Sequence, residues 1–216
     1  MPCAILVAIF LNEVRNARFK KFSQTVITFP HFISWVVLSG ILSNLFGSTG
    51  IINQLLSTLG LATVSPITTA SSFRPFVWVS NIWKEVGWDS IIYLAAITSI
   101  DPGLYEAAEV DGATRLQRIW HVTLPGIKST IAIMLILAVG QIMTNGSFDQ
   151  IFNLYSSPVY KVGDTLDTFI FRESFITGGL NYGYSAAIGM FKSIIGVIMI
   201  ALSNKIVTAM GENGLY

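Results

Sequence analysis

Residues 24–46 (QTVITFPHFISWVVLSGILSNLF) contain no Asp, Glu, Lys or Arg, and His31 is the sole candidate for a charge. A helix needs roughly 20 mostly apolar residues to cross a bilayer, and this stretch meets that length. Residues 129–148 (STIAIMLILAVGQIMTNGSF) have the same character, as do 185–203 (SAAIGMFKSIIGVIMIALS) apart from Lys192. Residues 76–100 (FVWVSNIWKEVGWDSIIYLAAITSI) have the length but carry Lys84, Glu85 and Asp89 in their first half. Soluble domains carry about 25% charged residues; here charge falls to 12% and hydrophobic residues reach 52%. That balance leaves too little charge for a solvated surface, which excludes a water-soluble enzyme, and too much apolar content for disorder. The expected fold is an all-α polytopic transmembrane bundle, because only helices satisfy their own backbone over such runs.

Four full spans are therefore expected at 24–46, 76–100, 129–148 and 185–203, and a partial one at about 1–11. The partial span is apolar (PCAILVAIFL at 2–11) and is followed by basic residues, the reverse order of a cleavable signal peptide. That order predicts a chain beginning inside a helix, truncated at its N-terminus. Net charge of +1 gives no general attraction to nucleic acid. The single cysteine, Cys3, has no partner for a disulfide within the chain.

Lys and Arg in loops orient a membrane protein. The 12–22 loop holds Arg15, Arg18, Lys20 and Lys21, the 101–128 loop holds Arg115, Arg118 and Lys128, and Lys205 lies near the C-terminus. The other side has Arg74, Lys161 and Arg172. The richer loops and the C-terminus are thus expected in the cytoplasm of a multi-pass plasma-membrane protein. Segment 149–184 falls outside, too polar to span and too long for a turn, as either part of a vestibule or a lid.

The 101–128 loop reads DPGLYEAAEVDGATRLQRIWHVTLPGIK. Asp101 as cap and Pro102 at the first helical position predict a short helix to about Val110. Gly112 supplies a left-handed stop. A second helix, about Ala113 to His121, places Leu116, Ile119 and Trp120 on one side, and Pro125 ends it. Such a knob suits docking in a groove of another protein. No nucleotide loop is present at GIKST, because Gly126 and Lys128 are not adjacent.

Glu106-Ala107-Ala108, Gly112 and Val122-x-Leu124-Pro125, at their spacing and between two spans, resemble the EAA signature of permease subunits of bacterial ATP-binding-cassette importers. LNEVRNARFKKFSQTVITFPHFISWVV, IWKEVGW, FDQIFNLYSSPVYKVGDTLDTFIFR and the Tyr184–Gly196 stretch resemble the oligosaccharide and polysaccharide branch of carbohydrate permeases. The resemblance covers essentially the whole chain as one transmembrane permease domain, 1–216. It implies a transport subunit, not an enzyme, whose coupling loop seats on a separate ATPase through Glu106, Ala107, Ala108, Gly112, Leu116, Leu124 and Pro125. It implies further partners: a second similar permease, an extracytoplasmic solute-binding protein and a carbohydrate substrate. No cofactor is expected in this chain, since ATP and Mg would bind the ATPase.

Charges at membrane depth must face protein or water and be paired. Asn81, Lys84, Glu85, Asp89, Gln141, Asn145 and Lys192 are the candidates to line a translocation pathway, with Trp83 and Trp88 as faces for sugar rings. The alternative is structural: Lys192 pairs with Glu85 or Asp89 to fix helix packing while Lys84 snorkels outward. His31 has no cysteine or carboxylate at metal-ligand spacing in the sequence, and no metal is expected. Rival readings are a permease for an amino acid, peptide or phosphate compound, an ion-coupled carrier or membrane enzyme, and a nonfunctional truncated permease.

Overall fold

The computed structural model describes residues 1–144, 147–176, 182–209, 211 and 214. Most of these residues are helical, and there is no strand among the described residues. In chain order the helices are α1 (Pro2–Glu13), α2 (Ala17–Thr28), α3 (Trp35–Phe46), α4 (Ile51–Thr58), α5 (Ala70–Thr98), α6 (Pro102–Val110), α7 (Arg115–Arg118), α8 (Leu124–Gly126), α9 (Lys128–Thr144), α10 (Phe148–Leu154), α11 (Tyr160–Gly163), α12 (Leu166–Phe171) and α13 (Tyr182–Ala209).

The chain divides into two compact units. The first comprises Met1–His31, Lys84–Gln141 and Gly196–Tyr216; the second comprises Phe32–Trp83 and Ile142–Ile195. In the first, Ala4, Ala8 and Leu11 of α1 form a buried cluster with Tyr93, Leu94 and Ile97 of α5 and with Ile127. Ala132 and Ile136 of α9 join Val207 of α13 in a smaller cluster. In the second unit, Leu38 and Leu42 of α3 pack with Phe73 and Val77 of α5, Ile151 and Leu154 of α10, and Val159.

Residues 24–46 do not form one helix. α2 gives way to a short 3-10 turn over Phe29–Phe32, and α3 starts afresh after Ser34, whose side chain accepts from the Val37 N–H. Pro30 sits in the break; it has no N–H to donate and its ring obstructs a continuing helix. Trp35–Thr58 is instead a helical stretch long and apolar enough to cross a membrane, with mean hydropathy 1.5. Tyr182–Ala209 is another, with mean hydropathy 2.0. Arg115–Gly126 and Lys128–Ile142, bent by 61° at their junction, make a third if counted as one span. α5 is long at 29 residues, but Lys84, Glu85 and Asp89 keep it outside that apolar set. Segment 149–184 carries α10, α11, α12, a 3-10 turn at Ser157–Val159 and a π-helical turn at Arg172–Ile176.

Gly87 lets α5 approach the end of α2 closely in the first unit. A Cβ there would lie 2.2 Å from the Ile27 carbonyl oxygen and 2.7 Å from the Thr28 nitrogen. Both are backbone atoms, so neither can rotate aside. Gly87→Ala is expected to destabilise by about 1–3 kcal/mol through forced separation of α2 and α5. Gly40, where a Cβ meets nothing within 4 Å, is the control: Gly40→Ala leaves stability unchanged or slightly raised. Thermal unfolding of the two variants in detergent reads the difference.

Candidate coupling loop and pathway residues

The Asp101 side chain accepts from the Gly103 N–H at 2.9 Å and starts α6 with Pro102 at its first position. The helix ends in a Schellman arrangement: the Ala113 N–H donates to the Ala108 carbonyl and the Gly112 N–H to the Glu109 carbonyl. Gly112 holds φ +76°, in the left-handed region this turn requires. Thr114 and Gln117 then form a capping box that starts the second arm. That arm does not stop before Pro125, as expected from the sequence. It runs through a π-helical turn at Ile119–Thr123 and α8 to Gly126. Wider π spacing is one way a helix absorbs a proline that cannot donate.

Two side-chain bonds brace the arms. Arg118 Nη1 donates to Glu109 Oε2 at 3.1 Å, and Tyr105 and Thr123 share a hydrogen bond of 3.0 Å. Ile119 and Leu124 turn inward against the α1–α5 cluster, so Ile119 is not on the outer side with its neighbours. Val110, Leu116 and Trp120 stand outward at 88%, 64% and 62% exposure. Glu106, Ala107, Gly112 and Pro125 are exposed, and Ala108 is half-buried. The Glu106 carboxylate has no hydrogen-bond or ion-pair partner among the described residues.

The candidate pathway residues fall into separate groups. In the first unit, Lys84 is 5% exposed and does not snorkel. Its ammonium donates to Glu85 Oε1 at 3.0 Å and to the His31 carbonyl at 2.8 Å. The second Glu85 oxygen meets His31 Nδ1 at 2.6 Å, and the imidazole stacks on Trp88 with ring centroids 4.4 Å apart. Asp89 is half-buried, with no hydrogen-bond or ion-pair partner among the described residues, and Gln141 is exposed. In the second unit, Asn81 donates to Gln150 Oε1 at 3.2 Å. Lys192 pairs with Asp167, not with Glu85 or Asp89. Asn145 lies outside the described residues.

Two features went unanticipated. His31 gains a carboxylate from a residue distant in sequence, a pairing no local spacing signals. Gln150 is fully buried and donates to the Val77 carbonyl at 2.7 Å and to Ser80 Oγ at 3.0 Å. Its only sequence sign is adjacency to the apolar Ile151 and Leu154 on a short helix. A cavity of about 670 Å³ adjoins it, walled by Trp35, Phe148, Phe171 and Phe175 with Asp149 and Asp167. That size lies in the usual small-molecule range of about 300–1,000 Å³.

The loop is thus a braced helical elbow with exposed apolar side chains, set between α5 and α9. The family described as binding-protein-dependent transport system inner membrane component matches residues 1–213, and the chain belongs to that family. It is 44% identical, over its full length and 66% of the relative's, to the polygalacturonan/rhamnogalacturonan transport system permease protein YteP of Bacillus subtilis (strain 168). It is 40% identical over its full length to Protein LplB of the same organism, covering 67% of it. The chain thus spans about two thirds of the length of these curated relatives. A solved structure of a bacterial alginate ABC transporter, in complex with an alginate-pentasaccharide-bound periplasmic protein, superposes with TM-score 0.92 at 40% identity. That match covers 99% of this chain and 74% of the other.

Within segment 149–184, the Asp164 carboxylate joins three side chains. Asp164 accepts from Arg172 Nη2 at 2.5 Å, Thr168 Oγ1 at 2.7 Å and the Tyr155 hydroxyl at 3.3 Å. Burial raises its proton affinity, but the bonds from Arg172 and Thr168 outweigh this and hold it below the ordinary 3.8. A depressed folded value means stabilisation is full above the unfolded value and is lost as pH falls through the folded one. Asp164→Asn is therefore expected to melt earlier than wild type at about pH 6, with the gap closing toward about pH 3. Thermal unfolding of both proteins across that range checks it.

Proposed function

We propose that this chain is the membrane-spanning subunit of an ATP-driven, binding-protein-dependent importer of carbohydrate, an oligosaccharide of the kind that acidic polysaccharides yield. The carrying observation is identity of 40% or more, across all or nearly all of the chain, to permeases named for polygalacturonan/rhamnogalacturonan and for alginate transport. On this reading the sugar passes beside Asn81, Lys84, Glu85, Asp89, Gln141, Asn145 and Lys192. A solute-binding protein delivers it from outside, and a second permease completes the pathway.

The 101–128 loop and the C-terminus face the cytoplasm, where ATPase subunits bind ATP and Mg. Support for this orientation comes from the Lys and Arg distribution. It also comes from one cavity in the first unit that is lined by Asn12, Glu13 and Arg15 together with Tyr105, Arg115 and Arg118. The two basic loops therefore share one end of that unit. Glu106, Leu116 and Trp120 supply the charged and apolar contacts to the ATPase, and Gly112 sets the angle between the arms.

Reconstitution of the importer with its ATPase and solute-binding protein tests the reading. Gly112→Ala meets no neighbouring atom, so its cost is backbone strain of about 1–3 kcal/mol. It is expected to lower oligogalacturonide uptake and binding-protein-stimulated ATP hydrolysis together. Glu106→Ala should do the same by about tenfold or more, as expected when a docking anchor worth over about 1.4 kcal/mol is lost. Unaltered coupling in both variants overturns the assignment of the loop. Uptake of amino acids or peptides in place of oligosaccharide overturns the substrate.

A further inference from the structure

The cavity joining the α1–α2 turn to the coupling loop has a volume of about 270 Å³. Arg15, Arg115 and Arg118 bring three guanidinium groups to it. Arg118 is engaged with Glu109 through Nη1, while Arg15 and Arg115 have no carboxylate partner among the described residues. Guanidinium groups present forked donors that match phosphate oxygens in bidentate fashion. We propose that this cavity binds a phosphate group, that of an anionic phospholipid headgroup.

Three further observations favour the lipid as source. Leu6, Phe10 and Glu13 lie on one face of α1 by their spacing, and Leu6 and Phe10 are exposed, Phe10 at 69%. An apolar strip therefore leads along the helix to the cavity, as an acyl chain requires. Glu13 lines the cavity as well; its carboxylate opposes a second negative charge on the ligand and so favours a monoanionic diester over a phosphate dianion. Asn12 and Glu13 also offer acceptors to hydroxyl groups, which a glycerol headgroup carries. A bound headgroup ties the turn after α1 to the start of α7, next to the elbow at Gly112. Basic clusters at the cytoplasmic end of membrane helices face an anionic leaflet, so such a ligand is at hand.

The experiment uses the full chain with the subunits that accompany it, in nanodiscs of phosphatidylglycerol and phosphatidylcholine, with retained lipid read by native mass spectrometry. Wild type is expected to retain phosphatidylglycerol about tenfold over phosphatidylcholine, a preference that Arg15→Gln with Arg115→Gln abolishes. Both side chains are exposed, and a thermal melt checks that the double variant is folded. Lys20→Gln with Lys21→Gln removes the same charge beside the same turn without touching the cavity, and should keep the preference. Three results overturn the proposal: equal retention by wild type and the arginine variant, equal loss in the lysine variant, or displacement of the lipid by inorganic phosphate, which would assign the site to a soluble ligand. None of these readouts involves transport, so the outcome is independent of the sugar reading.

Discussion

A single buried ammonium sets the arrangement of the first unit. Lys84 has lost nearly all contact with solvent, and an unpaired charge at such a place costs several kcal/mol. Its partners must therefore be fixed in position, and they come from two helical elements. Glu85 supplies one oxygen from α5 itself, and the His31 carbonyl supplies the other from the turn after α2. Glu85 then spends its remaining oxygen on the His31 ring, which lies flat on Trp88. The break at Pro30 and the absent side chain at Gly87 are what allow this turn to reach α5. Larger side chains at Gly87 would hold Ile27 and Thr28 away, and the ammonium would lose a partner.

The 101–128 loop obtains its stiffness differently, from backbone bonds and caps. A Schellman turn closes α6, a capping box opens the next arm, and the Arg118–Glu109 pair spans the elbow. Exposed ion pairs contribute little stability alone; here the pair adds direction to an angle already set by Gly112. The π-helical turn lets the second arm pass Pro125 and deliver Ile119 and Leu124 to the core. On the proposed reading, motion applied at Trp120 would reach packed residues rather than be absorbed by a loose connection.

The all-helical class and the coupling elbow were legible because their signals are local. Length and apolarity announce a span, and Asp101-Pro102, Gly112 and Thr114 each act within a few residues of themselves. The break in 24–46 was less legible because apolar composition does not record whether a helix is continuous; Pro30 was the available sign. Partners of the buried charges were not legible at all. Lys192 with Asp167, Glu85 with His31 and Asn81 with Gln150 depend on which elements lie side by side, and a period of 3.6 residues says nothing about that. Lys84 does not turn outward, as the structural alternative had it, because an ammonium among fixed acceptors is better placed inside than stretched toward water.

So few charges in the chain make it informative which of them are left without partners. Lys84, Glu85, Asp164, Asp167, Arg172 and Lys192 are all engaged, and each ties one segment to another. Glu106, Arg15 and Arg115 have no such partner among the described residues, and all three are exposed in the first unit. On the proposed readings their charges would serve groups outside the chain, an ATPase surface for Glu106 and an anion for the two arginines. Asp89 differs, being half-buried yet without an ion-pair partner among the described residues, and on the proposed reading water or a polar solute in a pathway would satisfy it. The paired charges thus tie segments of the chain to one another, and Glu106, Arg15, Arg115 and Asp89 are the ones to which the proposals above give a partner outside it.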